Sequence, residues 1–262
     1  MLMIKWVVDD DKLDEIRNKH LPLLISFPDT GLISHIAGSH IISNLKLDYV
    51  GYIDAEWAPP FVSFINGNPL PPMRIYCGND ICVFYSEIPL DSSIWHLVAR
   101  ELYLMYDRLR PSLALGGVGL PYVKRETIVD RRMLRVFVGG LNLEYVKNHE
   151  KIKRYLSSVK MFTGGLYGIY ATILQVFSRT KLPVIIHIID SFPYFPDVDA
   201  AIVYLEHLKE MIDLKIDIKP LEEKASEIKI LARSLSRQVQ DQHMSRESAV
   251  VTGSRTISSI YM

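Results

Sequence analysis

Leu21-Pro-Leu-Leu-Ile-Ser-Phe-Pro-Asp-Thr-Gly-Leu-Ile-Ser-His-Ile-Ala-Gly-Ser-His-Ile-Ile-Ser-Asn-Leu-Lys-Leu-Asp-Tyr-Val-Gly-Tyr-Ile-Asp54 reads as strand, helix, strand. The apolar run Leu23 to Phe27 is too short for a helix and is bounded by Pro22 and Pro28, which predicts a strand buried on both faces. Pro28-Asp29-Thr30-Gly31 supplies a turn, because proline presets φ and Asp29 or Thr30 can accept hydrogen bonds from free helix N–H groups. From Leu32 to Leu45, residues Leu32, Ile33, Ile36, Ala37, His40, Ile41 and Leu45 recur at helical spacing, and Gly38 thins one face for close packing on a sheet. The β-formers Leu47, Tyr49, Val50 and Ile53 follow. The packing expected of such a unit is a right-handed parallel crossover, hence an α/β fold.

Around this unit, Ile4 to Val8 reads as a strand and Asp11 to His20 as a polar connection with about one helical turn. Phe61 to Ile65 runs into Asn66-Gly67-Asn68-Pro69, a hairpin signal, and Met73 to Tyr76 reads as the returning strand. Ile81 to Ser86 is a further strand, and Asp91-Ser92-Ser93 caps a helix to about Arg108. Ser112 to Leu115 reads as a strand ending in a glycine turn, Gly116-Gly117-Val118-Gly119. Met133 to Val138 is a strand before a short helix from Leu141 to His149, and Pro183 to Ile189 is a strand before a helix from Asp197 to about Ile212.

Composition narrows the function. At 48% hydrophobic the chain can fill a large core, and thirty basic against thirty acidic residues leave no net field for nucleic acid or an anionic membrane. The apolar start runs straight into Asp9-Asp10-Asp11, so no secretory signal is expected, and no run approaches the roughly 18 apolar residues of a membrane helix. A cytoplasmic location follows as the expectation. Cys77 and Cys82 could form a disulfide or hold a metal, but with no second cluster they read as small apolar side chains of an intracellular protein.

Two glycine pairs are candidate phosphate cradles, Gly116-Gly117 after a strand and Gly164-Gly165 in Phe162-Thr163-Gly164-Gly165-Leu166-Tyr167-Gly168, which reads as a helix start. Neither has the spacing of a P-loop or a dinucleotide fingerprint, so backbone turns and close packing are the expected roles. A catalytic alternative, a phosphorylase- or hydrolase-like enzyme, would use these pairs for phosphate and His187 or Asp190 for proton transfer. His187 within its strand reads as a core histidine, and no nucleophile with an orienting base stands out. No catalytic residue, no metal ligand and no cofactor is expected.

Several of these stretches in this order resemble the proteasome assembly chaperone 2 family: Phe-Pro-Asp-Thr-Gly into a helix, Val-Gly-Tyr-Ile-Asp, Ile94-Trp95, the Leu-Gly-Gly segment, Phe-Thr-Gly-Gly-Leu-Tyr-Gly, and Pro193-Tyr194 before a long helix. The likeness covers about Ile25 to Ile230. Where many relatives carry a Pro-His-Thr-Arg-Pro-like segment, this chain has Pro121-Tyr122-Val123-Lys124-Arg125. The resemblance implies a mixed, mostly parallel sheet flanked by helices, similar in fold to nucleoside phosphorylases. It also implies a homo-oligomer used as a scaffold, with the core proteasome as partner.

The expected organisation is an α/β domain at 1–219, a C-terminal helix at 220–242 and a flexible tail at 243–262. Leu221, Ala225, Ile228, Ala232, Leu235 and Val239 form a heptad-like stripe that fits packing on its own domain or on another subunit equally well. The tail closes on Ile260, Tyr261 and Met262, an apolar residue, a tyrosine and a carboxylate that gain nothing until a partner buries them. This order resembles the C-terminal motif by which proteasome activators dock between α subunits of the core particle. It implies pairing of the Met262 carboxylate with a lysine, packing of the Tyr261 ring and filling of an apolar niche by Ile260. A flexible segment from His243 to Ser259 would span about 23 Å on average, enough to reach a pocket beside the body.

Overall fold

Strand β2 (Leu23–Ser26) is buried along its whole length, as a strand apolar on both sides must be. It lies at the centre of the computed structural model, which describes residues 4–56 and 58–225. The turn after it leads into α2 (Ile33–Asn44), and a Cβ at Gly38 would stand 2.6 Å from the Ser26 hydroxyl, so the glycine does let the helix lie against the strand. Strand β3 (Asp48–Ala55) follows, parallel in direction to β2 but separated from it. Between them stand β6 (Met73–Cys77) and β7 (Cys82–Ser86), an antiparallel pair inserted from later in the chain.

The nine-stranded sheet has the order β1-β3-β6-β7-β2-β8-β11-β9-β10, with β1 at Ile4–Val8, β8 at Ala114–Pro121, β9 at Val136–Leu141, β10 at Lys160–Met161 and β11 at Val184–Ser191. Its centre, β7-β2-β8-β11, is parallel. Antiparallel pairs carry it outward through β6, β3 and β1 on one side and through β9 on the other. The mixed sheet flanked by helices matches the expected fold.

Helices α1 (Asp10–Arg17), α3 (Trp95–Leu109) and α5 (Ile169–Phe177) pack on one face. Helices α2, α4 (Glu150–Ser158) and α6 (Val198–Ile212) pack on the other. The two faces meet in β8, where consecutive residues point to opposite sides. A Cβ at Gly116 would lie 2.7 Å from the ring of Tyr170 on α5, and one at Gly117 would lie 2.7 Å from the ring of Tyr204 on α6. These glycines are thus inside an eight-residue strand and form no turn, contrary to the sequence reading. They are small because a tyrosine from each layer fills the space their side chains would take.

Three other expectations change. The Asn66-Gly67 turn is present, but its hairpin pairs β4 (Ser63–Ile65) with β5 (Asn68–Leu70) as a separate two-stranded sheet, and Met73–Cys77 joins the main sheet instead. Cys77 and Cys82 are joined in a disulfide across the β6–β7 pair, so they are not independent apolar side chains. The short helix expected at Leu141–His149 is a 3-10 segment, Leu143–Asn148, followed by the unanticipated α4.

The chain divides into two compact units, residues 1–218 and 219–262. In the second, residues 219–225 are helical. Stripe positions Ile228, Ala232, Leu235 and Val239 lie outside the described residues, as do Ile260, Tyr261 and Met262.

Candidate functional site at the carboxyl end of the sheet

In open α/β sheets ligands bind where strands end at their carboxyl termini. Here three connections converge: the turn at 28–32 after β2, the loop at 122–135 after β8 and the loop at 192–197 after β11. Their meeting is tight. A Cβ at Gly119 would stand 2.1 Å from the Thr30 carbonyl oxygen, so the β2 turn rests directly on β8. Gly31, at φ +70°, accepts through its carbonyl a bond of 2.8 Å from the Asp197 N–H.

Asp197 caps α6 by accepting from Ala200 N–H at 3.1 Å, and also accepts from Phe192 N–H at 3.2 Å. Its two oxygens are gripped by Arg125, whose Nε and Nη2 donate at 2.6 and 2.8 Å. Arg125 is 2% exposed. Its Nη2 also reaches Asp199 at 3.4 Å, its Nη1 donates to the Ile128 carbonyl at 3.0 Å, and its guanidinium lies 4.6 Å from the centre of the Phe192 ring. Such a bidentate pair, once buried, loses about 3–5 kcal/mol when one member is removed. The corner that could have held a substrate is filled by a clasp between two loops.

The proposed proton-transfer residues are engaged elsewhere. Asp190, fully buried, accepts from Nε and Nη2 of Arg135 at 2.8 and 2.9 Å, and Arg135 stacks 4.6 Å from the Tyr122 ring centre. His187 is also fully buried, and its Nε2 is 2.7 Å from the Tyr155 hydroxyl, which is in turn 2.7 Å from Nδ1 of His207. Burial, with a smaller push from neighbouring His207, lowers the His187 pKa to about 3. Burial lowers that of His207 too, against the pull of Glu210 and Glu206. Nδ1 of His187 has no hydrogen-bond partner among the described residues. The histidine is a neutral core residue, as expected from its place in the strand.

The second glycine pair does not open a helix. Gly164 and Gly165 sit in an exposed loop between β10 and α5, and a Cβ at Gly165 would meet nothing within 4 Å. Helix α5 starts later, after Gly168 at φ +104°. The packing role expected of Gly165 is therefore absent.

What the carboxyl end does present is apolar surface. Val123 is 94% exposed, Tyr194 89% and Phe195 68%. They sit on the two loops that the Arg125–Asp197 clasp and the Tyr122 N–H to Ser191 carbonyl bond (3.0 Å) hold together. A rigid base carrying aliphatic and aromatic tips suits protein contact better than chemistry. Sequence reasoning missed Arg125 and Asp197. The only available signals were an arginine after a strand and an aspartate at a helix start, with nothing to connect them.

A family model described as the PAC2 family matches residues 23–235. An uncharacterized protein of Methanocaldococcus jannaschii is 27% identical over 219 residues, covering 83% of this chain and 86% of that protein. Among solved structures, Pyrococcus furiosus PbaA, an archaeal homolog of proteasome-assembly chaperone, superposes with a TM-score of 0.74 at 22% identity over 99% of both chains. Pyrococcus furiosus PbaB, an archaeal proteasome activator, superposes with a TM-score of 0.70 at 18% identity, covering 90% of this chain and 100% of its own.

Proposed function

We propose, from the premise that this chain belongs to the PAC2 family, that it is a non-enzymatic, ATP-independent scaffold that binds the core proteasome. It assists assembly of the particle or activates it, and works as a cytoplasmic homo-oligomer. The observation that carries this reading is the likeness, over nine-tenths of the chain or more, to two proteins named for proteasome assembly and activation. The filled carboxyl-end corner supports the non-catalytic part: the buried Arg125–Asp197 pair stands where a substrate would bind.

The docking step rests on the terminal residues themselves. Ile260, Tyr261 and Met262 insert between α subunits of the core particle, with residues 220–242 as a helix and 243–262 as a tether. Each plug binds weakly, and several per oligomer add through effective concentration. The test is a pull-down with core proteasome, together with its peptide-hydrolysis rate, using the intact protein, the Tyr261→Ala variant and a chain lacking Met262. Binding and any stimulation are expected to vanish in both altered chains while circular dichroism stays the same. Unchanged capture by Tyr261→Ala refutes the docking step, and no capture by the intact protein refutes the proteasome reading altogether.

A further inference from the structure

We infer that the β4–β5 hairpin and the cleft at its base form a contact between two copies of this chain. The inference rests on the homo-oligomer reading above and names the surface responsible. The hairpin stands apart from the nine-stranded sheet, its strands paired only with each other, Ser63 to Leu70 and Ile65 to Asn68. Asn66 and Gly67 both have positive φ, 51° and 80°, the tight turn that matches the twist of a hairpin. A lone two-stranded ribbon is marginal in water and gains from a partner.

Its side chains are unsuited to water. Phe61, Val62, Phe64 and Ile65 are between 44% and 69% exposed. From residue 57 to residue 73 the sequence contains no Asp, Glu, Lys or Arg, in a chain that is 23% charged. Within it, residues 59–69 are exposed apart from the half-buried Ser63, and an exposed run without one charge has the composition of an interface core, where charged residues are depleted. The four side chains offer roughly 400 Å² of apolar surface, about the most a monomer leaves open in one patch and about half of what one partner contributes to a standard interface.

A cleft of about 350 Å³ lies at the base of the hairpin, walled by Ala55, Ala58, Pro60, Pro69 and Pro72. The acid lining it, Asp54, is paired with Lys5 at 3.9 Å. Val7 on β1, opposite Tyr52 of the cleft wall, extends the apolar patch to the free edge of the main sheet. Projection and receptacle therefore occupy one patch, in which the charge of Asp54 is matched by Lys5 at its margin. A two-fold axis through it sets the Phe64 ring of each copy at the cleft of the other, the self-complementary arrangement of an isologous dimer. No separate complementary surface has to be supplied.

Full-length protein is measured by light scattering coupled to gel filtration from about 1 to 100 µM, beside Phe64→Glu and Ile65→Lys. Both positions are exposed, so the fold is retained and circular dichroism verifies it. Wild type is expected as an oligomer and both variants as a species of smaller mass, with association weakened about 100-fold, as for loss of an interface anchor. An oligomer unchanged in both variants overturns the hairpin contact and leaves the homo-oligomer reading standing. Variants that stay oligomeric but no longer capture core proteasome overturn it in favour of a proteasome-facing hairpin. A monomeric wild type overturns the homo-oligomer and this contact together.

Discussion

Gly116-Gly117 and Gly164-Gly165 are identical dipeptides with opposite duties. The first pair lies mid-strand at the centre of the sheet, and each absent side chain is replaced by a tyrosine ring arriving from a different helical layer. The second lies in an exposed loop where Gly165 has open space around it. A glycine pair is thus silent about ligands. What separates the two is the company brought by distant segments, Tyr170 and Tyr204, which touch β8 only once the fold is complete.

The contrast is sharpest under substitution. Gly117→Ala drives a methyl group into the Tyr204 ring in a strand sealed on both sides, and overpacking of this kind costs about 1–3 kcal/mol or more. Gly119→Ala, facing a backbone oxygen at 2.1 Å, is expected to cost still more and to yield little folded protein. Urea unfolding reads both, and a midpoint equal to wild type for Gly117→Ala would erase the distinction.

Acid probes the same filling without mutation. His187 sits in register with Gly117, and its ring packs 5.2 Å from that of Tyr204. Its folded pKa of about 3 is below the ordinary 6.5, so the unfolded chain binds the extra proton between these values. Stability is complete above about pH 6.5 and falls as pH drops towards 3, by up to roughly 1.4 kcal/mol per unit for this group. Unfolding midpoints at pH 7, 5.5 and 4.5 should decline more steeply for wild type than for His187→Gln, and equal slopes would remove His187 from the account.

In the segment around the other pair the effects should be smaller and should come from the backbone alone. Gly168→Ala, at φ +104°, is expected to lose about 1–2 kcal/mol from backbone strain. Gly165→Ala should change stability by about 0.5 kcal/mol or less, since nothing surrounds it. A loss at Gly165 matching that at Gly117 would show the loop to be as crowded as the strand.

These cases mark how far the sequence could be read. Strand β2, its turn and α2 were legible because the signal is local: an apolar run between prolines, a capping turn and a helical period. Gly38 was legible for the same reason, since a small residue on the packed face of a helix has one common use. The separation of β2 from β3 was not, because periodicity gives direction and burial but not which strand intervenes. Gly116-Gly117 read as a turn because glycine favours turns wherever the atoms that fill its place are out of sight. The Arg125–Asp197 clasp escaped because a salt bridge across two loops leaves no spacing to recognise. Cys77 and Cys82 escaped because opposing positions in an antiparallel pair become visible only with the register. Helix α4 escaped because it offers few apolar positions, Ile152 and Tyr155 being the buried ones, even though they recur at helical spacing.

The order β3-β6-β7-β2 also constrains how the chain reaches its fold. Pairs β3–β6 and β6–β7 join neighbouring segments and close short loops, whereas β2 meets β8 through partners as remote as Leu23 and Ala114. Closing the longer loop costs more entropy and proceeds more slowly. On loop length alone the antiparallel meander is expected to assemble first, with β2, apolar on both faces, docking against its β7 edge afterwards. During synthesis, β2 leaves the ribosome before either of its sheet neighbours exists, so a newly made chain carries an unpaired hydrophobic strand until the segment ending at Ser86 has been translated.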